Sequence, residues 1–191
     1  LDAARAEGLD VVAHFMPRPM GVLFGLDLSY HPFSLNPSYR EIAKLPLAEK
    51  VARMRDPEMR ARILSEKPDD PNPSFVQIVR MRKGLYVLQD PVDYHFKPED
   101  SLEAFAERTG KDLDEVIYDA LLDDDGHSIL GVFPVAGQAY MERTGFLLNR
   151  DDVVISLGDG GAHYAMICDA AYPTYMLSQR LKGEGAVPLP Q

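Results

Sequence analysis

Two short apolar runs, near the two ends of the chain, dominate the hydrophobic pattern. The run Val153–Leu157, V-V-I-S-L, stops at Gly158. A short apolar run that is rich in β-branched residues and bounded by glycine is typical of a strand buried on both faces of a parallel sheet. Leu9–Phe15, L-D-V-V-A-H-F, predicts another strand, which Pro17 ends. A helix-like segment precedes the first run, so the pattern predicts an alternating β/α architecture.

Between these two runs, apolar residues recur mostly at helical spacing. Asn36-Pro37 and Asp56-Pro57 each combine an N-cap residue with proline at the first helical position, and Ser101 caps a third segment that Gly110 ends. The predicted helices are 38–44, 47–55, 58–66, 102–109 and 112–122, with a further short one at 135–143. The pattern therefore predicts a small helical subdomain.

The remaining segments give shorter elements. Phe75–Val79 and Tyr86–Leu88 are strand candidates on either side of Lys83-Gly84, and no conformation is predicted for Met20–Leu28. The acidic segment 123–126 lacks the alternating acids and terminal glutamate of a calcium loop, so a helix-ending turn is predicted. A last helix is expected to start at Tyr172 and to bury four residues: Tyr175, Met176, Leu177 and Leu181.

The order of these elements predicts three regions. Residues 1–30 form one β/α unit, residues 31–150 a long insertion that is mostly helical, and residues 151–191 the last β/α unit. A connection of about 120 residues is too long for a simple loop. The chain starts without methionine, inside the apparent helix Leu1–Glu7 that Gly8 ends, and we expect it to be a fragment of a longer protein.

Composition narrows the range of functions. The 191 residues carry a formal net charge of −10, which argues against a nucleic-acid backbone as partner. No apolar run approaches the roughly 20 residues of a membrane helix, so no membrane partner is expected. Cys168 is the one cysteine, which excludes an internal disulfide and a cysteine-based zinc finger. A cytoplasmic setting is expected.

The candidate chemistry follows the second strand. Gly158-Asp159-Gly160-Gly161 and then His163 come directly after Val153–Leu157. Catalytic side chains lie at the carboxyl ends of the strands in barrels and open α/β sheets. A phosphate-binding loop is disfavoured, because the segment lacks the Lys-Ser/Thr of a P-loop.

Three further side chains each have two interpretations. His163 could bind a substrate carboxylate or an oxyanion, or it could simply fix the loop. Arg18 could bind a substrate carboxylate with its guanidinium fork, or it could form a structural salt bridge. His14, inside the first strand, is a hydrogen-bonded core or barrel histidine, or it is a ligand.

Several motifs together resemble a known family. Leu157-Gly158-Asp159-Gly160-Gly161-Ala162-His163, followed by Ile167-Cys168-Asp169-Ala170 and Tyr172-Pro173-Thr174, is similar to the N-acyl-D-amino-acid deacylases, or D-aminoacylases, of the amidohydrolase superfamily. Weaker matches cover nearly the whole chain: Arg18-Pro19, Gly25–Leu28, His31-Pro32-Phe33, Asp56-Pro57 with Arg60, and Tyr118-Asp119.

The resemblance implies a fold and a reaction. The fold would be the last two β/α units of a (β/α)8 metal-dependent hydrolase barrel, with Val11–Phe15 as strand 7 and Val153–Leu157 as strand 8. The insertion would partly cover the active site. The reaction would be zinc-dependent hydrolysis of the amide of an N-acyl-D-amino acid. Asp159 would be the proton acceptor and donor beside the metal, and it is also a candidate metal ligand.

The chain departs from the family pattern in its metal ligands. The family's His-x-His pair and its later histidine ligands have no counterpart among the five histidines, so zinc would need residues that precede Leu1. The chain alone is therefore expected to lack the metal site and to be inactive. A non-catalytic binding or regulatory domain of amidohydrolase-like shape is the alternative. Self-association through unpaired strand edges is also expected.

Overall fold

The computed structural model describes residues 1–19, 21–93, 95–133, 145–156, 166–167 and 172–177. The chain is mixed α/β and divides into two compact units. The first combines Leu1–Met20 with Pro134–Gln191, and the second is Gly21–Phe133. The second unit is thus inserted in the sequence of the first. It begins and ends earlier than the predicted insertion of residues 31–150.

The first unit contains a parallel pair of strands. β1 (Ala13–Phe15) pairs with β5 (Val153–Ile155), and Ala13 lies opposite Val153. Both strands were predicted, with longer bounds. The prediction that Val153–Leu157 is buried on both faces is wrong for β5, because Val154 is 48% exposed; His14 on the partner strand is exposed as well. Among the described residues, this sheet contains only these two strands. The barrel stays a prediction.

Two short helices flank these strands. α1 (Asp2–Ala6) ends before Gly8, as predicted. α8 (Tyr172–Tyr175) starts where the sequence placed it, with Tyr175 and Met176 buried. Leu177 is 61% exposed, so its predicted burial is wrong; Leu181 lies outside the described residues. Residues 145–148 are also helical, whereas the short helix predicted at 135–143 falls outside the described residues.

A three-stranded antiparallel sheet organises the second unit. β4 (Leu130–Val132) lies between β2 (Val22–Phe24) and β3 (Leu85–Val87). Only β3 was predicted. A Cβ atom on Gly131, the middle residue of β4, would collide with the ring of Phe133, so this central position requires glycine.

Six helices pack around that sheet. They are α2 (Pro37–Ile42), α3 (Leu47–Met54), α4 (Pro57–Ser65), α5 (Pro73–Val79), α6 (Leu102–Thr109) and α7 (Leu113–Leu122). The Asp56 carboxylate accepts the Met59 N–H, and the Ser101 hydroxyl accepts the Ala104 N–H, as their predicted capping roles require. Gly110 ends α6 in a left-handed conformation with φ of 67°. The helices predicted at 38–44, 47–55, 58–66, 102–109 and 112–122 are confirmed as α2, α3, α4, α6 and α7.

The strand predicted at Phe75–Val79 is wrong, because this segment is helix α5. The Asn72 side chain accepts the Ser74 N–H at 2.9 Å, and Pro73 occupies the first helical position. The same Asx-Pro sequence opens α2 and α4. At α2, however, the predicted capping bond is absent, because the Asn36 side chain donates to the Ile63 carbonyl at 2.8 Å instead. The capping signal therefore outweighed the β-branched composition of the segment.

The core of the second unit lies between its sheet and its helices. Phe24, Leu85 and Leu130 contribute from the strands, and the helices supply further fully buried side chains, among them Met54, Ile63, Ile117, Tyr118 and Leu121. α6 packs on α7, and both α2 and α3 pack on α4. After α7, the acidic segment forms a 3-10 turn (Asp124–Gly126), in agreement with the predicted turn. Within the described ranges, no helix is long and apolar enough to cross a membrane.

Candidate active-site edge of the parallel sheet

The carboxyl ends of β1 and β5 meet at one edge of the parallel sheet. The pairing extends one residue past β5, because the Ser156 N–H donates to the Phe15 carbonyl at 3.0 Å. Arg18 follows β1 by three residues, and Asp159 follows β5 by four residues in the sequence. Parallel strands bring the segments after their carboxyl ends to a common edge, which is where α/β enzymes bind their ligands.

Arg18 is the predicted site residue that the structure describes. Its side chain is 3% exposed, and Nη1 donates to the Pro19 carbonyl at 3.2 Å. A guanidinium is almost never fully buried without partners, since desolvating its charge is costly. Its burial favours the structural role over direct contact with a substrate.

Asp159 and His163 lie outside the described residues, so their predicted roles stay predictions. The described residues also do not fit a zinc site. Among them, no three His, Cys, Asp or Glu side chains are placed to share a metal ion. A zinc ion would therefore need ligands from other residues.

His14 connects the two strands on their exposed face. Its Nδ1 lies 2.6 Å from the hydroxyl oxygen of Ser156, across the parallel pair. The hydrogen bond of the first interpretation is thus present, but the ring is exposed and does not lie in the core. This contact joins the two strands at the carboxyl edge, one residue beyond the last position of β5.

The opposite edge of the sheet is held by an ion-pair network. Asp152 immediately precedes β5, and its buried carboxylate accepts from Nε and Nη2 of Arg150, both at 2.7 Å. Arg5 of α1 lies 3.2 Å from the same carboxylate, and Arg150 also binds Asp2. The hydrogen bond from Arg150 holds the pKa of Asp152 well below its usual range, with Arg5 adding to the effect.

This network ties helix α1 to the entrance of β5. The Ala13 N–H also donates to the Asp152 carbonyl at 2.9 Å, so one residue anchors both strands. In β/α folds, the amino-terminal edge of the sheet serves stability while the carboxyl edge carries chemistry. The ion pairs therefore stabilise the strand pair at its amino-terminal edge and are not part of the candidate site at its carboxyl edge.

Sequence reasoning missed two buried polar residues in the second unit. His31 is 1% exposed, and its ring packs edge-on against Tyr39 with centroids 4.2 Å apart. Lys50 is also buried, and its ammonium donates to the Leu26 carbonyl at 2.8 Å. Burial lowers the pKa of both residues, to about 3 for His31. The His31-Pro32-Phe33 motif was noted in the sequence, but nothing in it signalled burial.

Sequence reasoning also missed a cavity in the second unit. It has a volume of about 470 Å³ and is lined by residues of the segment from β3 to α6. Aromatic and acidic side chains dominate its wall. The signal in the sequence was the clustering of these residues between positions 86 and 105, which is visible only once the segment is known to fold back on itself.

Comparison of the chain with protein-family models, with curated proteins and with solved structures finds no match.

Proposed function

We propose that this chain is part of a zinc-dependent amidohydrolase that hydrolyses the amide bond of N-acyl-D-amino acids. Asp159 is assigned as the proton acceptor and donor. The proposal starts from the Asp159–His163 motif and its resemblance to the N-acyl-D-amino-acid deacylases. The chain would supply one catalytic carboxylate and the segment inserted between the last two strands.

The observation that carries the proposal is the parallel pairing of β1 with β5. Their residues are in direct register, although about 140 residues separate them in the sequence. Consecutive barrel strands are expected to pair in this way, and an inserted unit between them suits a segment that covers an active site. In the sequence, Arg18 follows β1 and Asp159 follows β5, so the proposal assigns both to the carboxyl edge of this pair.

The chemistry assigned to this chain is general acid–base catalysis. A water molecule attacks the amide carbonyl while the Asp159 carboxylate takes one of its protons. The same carboxyl group then returns the proton to the nitrogen as the carbon–nitrogen bond breaks, which releases a carboxylic acid and a free amino acid. A positioned acid–base group of this kind contributes about 10²- to 10⁴-fold to the rate.

The zinc ion belongs to this proposal only through the resemblance. Since the described residues do not form a metal site, its ligands would come from other parts of the complete protein. Arg18, which is buried, would have a structural role after β1. His163 would bind the substrate carboxylate or the oxyanion.

The test uses the complete reading frame that encloses this chain. Release of free amino acid from a panel of N-acetyl-D- and N-acetyl-L-amino acids is measured for the wild type and for Asp159→Asn. We expect the wild type to hydrolyse the D-substrates selectively. The rate should fall by at least about 100-fold in the variant, because the side-chain amide of asparagine cannot take the proton from water. Zinc content, measured in parallel, should stay near the wild-type level.

Asp151→Asn is the matched control, since it makes the same chemical change at an exposed carboxylate whose salt bridge is with Arg5. This variant should retain wild-type turnover. Activity of Asp159→Asn within three-fold of the control would remove Asp159 from the mechanism. Absence of hydrolysis by the wild-type protein on every substrate would instead support the non-catalytic, amidohydrolase-like domain.

A further inference from the structure

The cavity of the second unit combines aromatic walls with an excess of negative charge. Tyr86 and Phe96 stack with ring centroids 4.6 Å apart, and Phe105 forms another part of the lining with 41% of its surface exposed. The carboxylates of Asp93, Glu99 and Asp100 also line it. These features are independent of the parallel sheet and of the proposed hydrolase function.

One cation of the protein already lies at this cavity. The guanidinium of Arg108 is 5.5 Å from the centroid of the Phe105 ring, within the distance at which a cation is attracted to an aromatic face. Asp93 lies 2.7 Å from Nδ1 of His95, which also lines the cavity, so Arg108 faces the two other carboxylates of the lining, Glu99 and Asp100, and negative charge is left over. The cavity is therefore electrostatically suited to a second cation.

The same carboxylates affect the pKa of Tyr86 in the cavity wall. The pKa of the Tyr86 phenol is raised, first by burial and then by the negative charges of Asp100 and Glu99. These two acids thus lie near enough to act on the Tyr86 ring, although their own side chains are exposed.

The arrangement favours an organic cation over a metal ion. A hard metal ion needs several oxygen ligands that converge on one point. Within the described residues, no three acidic or histidine side chains converge in this way. A cation with apolar substituents needs only aromatic contact and charge nearby, and a volume of about 470 Å³ lies within the range of small-molecule sites.

We propose that this cavity binds a small organic cation of the alkylated-ammonium type. Its methyl or methylene groups contact Tyr86 and Phe105, and Glu99 and Asp100 compensate its charge. Asp93 has a different role, because it accepts the His95 N–H at 2.9 Å and holds the loop that carries Phe96.

The experiment is a calorimetric titration of the complete protein with choline and with 3,3-dimethylbutan-1-ol. The alcohol has the shape of choline but carries no charge. We expect choline to bind at least about ten-fold more tightly, since the cation–aromatic and carboxylate contributions are absent for the alcohol. Equal affinity for the two probes, or no binding of choline, would overturn the proposal.

Variants locate the site. Glu99→Gln combined with Asp100→Asn should weaken choline binding by about three-fold or more. Glu107→Gln, an exposed position on α6 that does not line the cavity, should leave it unchanged. Arg108→Ala should strengthen binding by about three-fold, because it removes the competing guanidinium.

The double variant changes only exposed side chains, and far-UV circular dichroism checks that it folds. If it binds choline as tightly as Glu107→Gln does, or if Arg108→Ala weakens binding, this cavity is not the site. Neither result bears on hydrolysis at Asp159.

Discussion

We expect the second unit to lose stability in mild acid because His31 is buried in it. Its Nδ1 accepts the Phe33 N–H at 3.2 Å, so the ring is neutral in the folded chain. Burial lowers its pKa from 6.5 to about 3, and the positive charges of Lys50 and Arg82 add to the effect. In the unfolded chain, the same ring takes up a proton at the ordinary pKa of 6.5.

The sign of the effect follows from this difference. Between pH 6.5 and 3, the unfolded state binds one more proton than the folded state, so the free energy of unfolding falls as the pH falls. Above pH 6.5, His31 does not reduce the free energy of unfolding. Below pH 6.5, this free energy falls by about 1.4 kcal/mol per pH unit. Between pH 7 and 5, the expected loss is about 2 kcal/mol, and it reaches about 5 kcal/mol near pH 3.

The assay is urea unfolding followed by far-UV circular dichroism between pH 7 and 5, where most carboxylates stay ionised. The helices α2–α7 all belong to the second unit, so the signal reports mainly on it. His31→Phe should be less stable at pH 7, because the Phe33 N–H loses its acceptor at a cost of about 1–3 kcal/mol, but it should lose the pH dependence.

His127→Gln is the matched control, since this histidine is exposed and its removal should leave the slope unchanged. If wild type and His31→Phe lost the same free energy between pH 7 and 5, the assignment of the acid sensitivity to His31 would be refuted.

Two further predictions concern packing and the ion-pair network. Ile117→Ala, at a fully buried position in α7, should cost about 2–5 kcal/mol in urea unfolding, whereas the same kind of truncation at half-exposed Ile129 should cost clearly less; equal losses would contradict the described core. Arg150→Ala leaves the buried Asp152 carboxylate with Arg5 as its remaining partner, so the melting temperature should fall by several degrees. The control Arg53→Ala, at an exposed position, should not change the melting temperature measurably. The effect of Arg150→Ala should disappear at low pH, because protonation of Asp152 as the pH falls through its folded-state pKa removes the attraction. A penalty that persists there would argue against the ion pair as its cause.

Local signals in the sequence predicted the helices well. Asp56 and Ser101 each bond a backbone N–H three residues ahead, so the information that starts α4 and α6 lies within four residues. The same kind of signal at Asn72-Pro73 was overlooked in favour of the β-branched residues that follow. Strand β4 was missed because its partners in β2 and β3 are distant in sequence and because its glycine is explained by tertiary contacts, chiefly with the ring of Phe133.

The features of the candidate sites also divide into those that the local sequence predicts and those that depend on packing. The parallel partners β1 and β5 were found from their apolar composition, which is a local property. The burial of His31 and Lys50 and the meeting of Glu99 with Phe105 at one cavity depend on how separate segments pack. No spacing rule in one sequence encodes such packing. The role of Asp159 rests on the motif alone.

The pairing of β2 with β4 has a consequence for the order of folding. Val22 lies opposite Val132, so the inserted unit begins and ends at neighbouring positions. Once this unit has folded, the loop that must close to join β1 and β5 shortens from about 140 flexible residues to about 25. The entropic cost of closure then falls by about 1.5 kcal/mol. The folded unit therefore keeps the two ends of the insertion close together, and we expect the parallel strands to form after it during refolding.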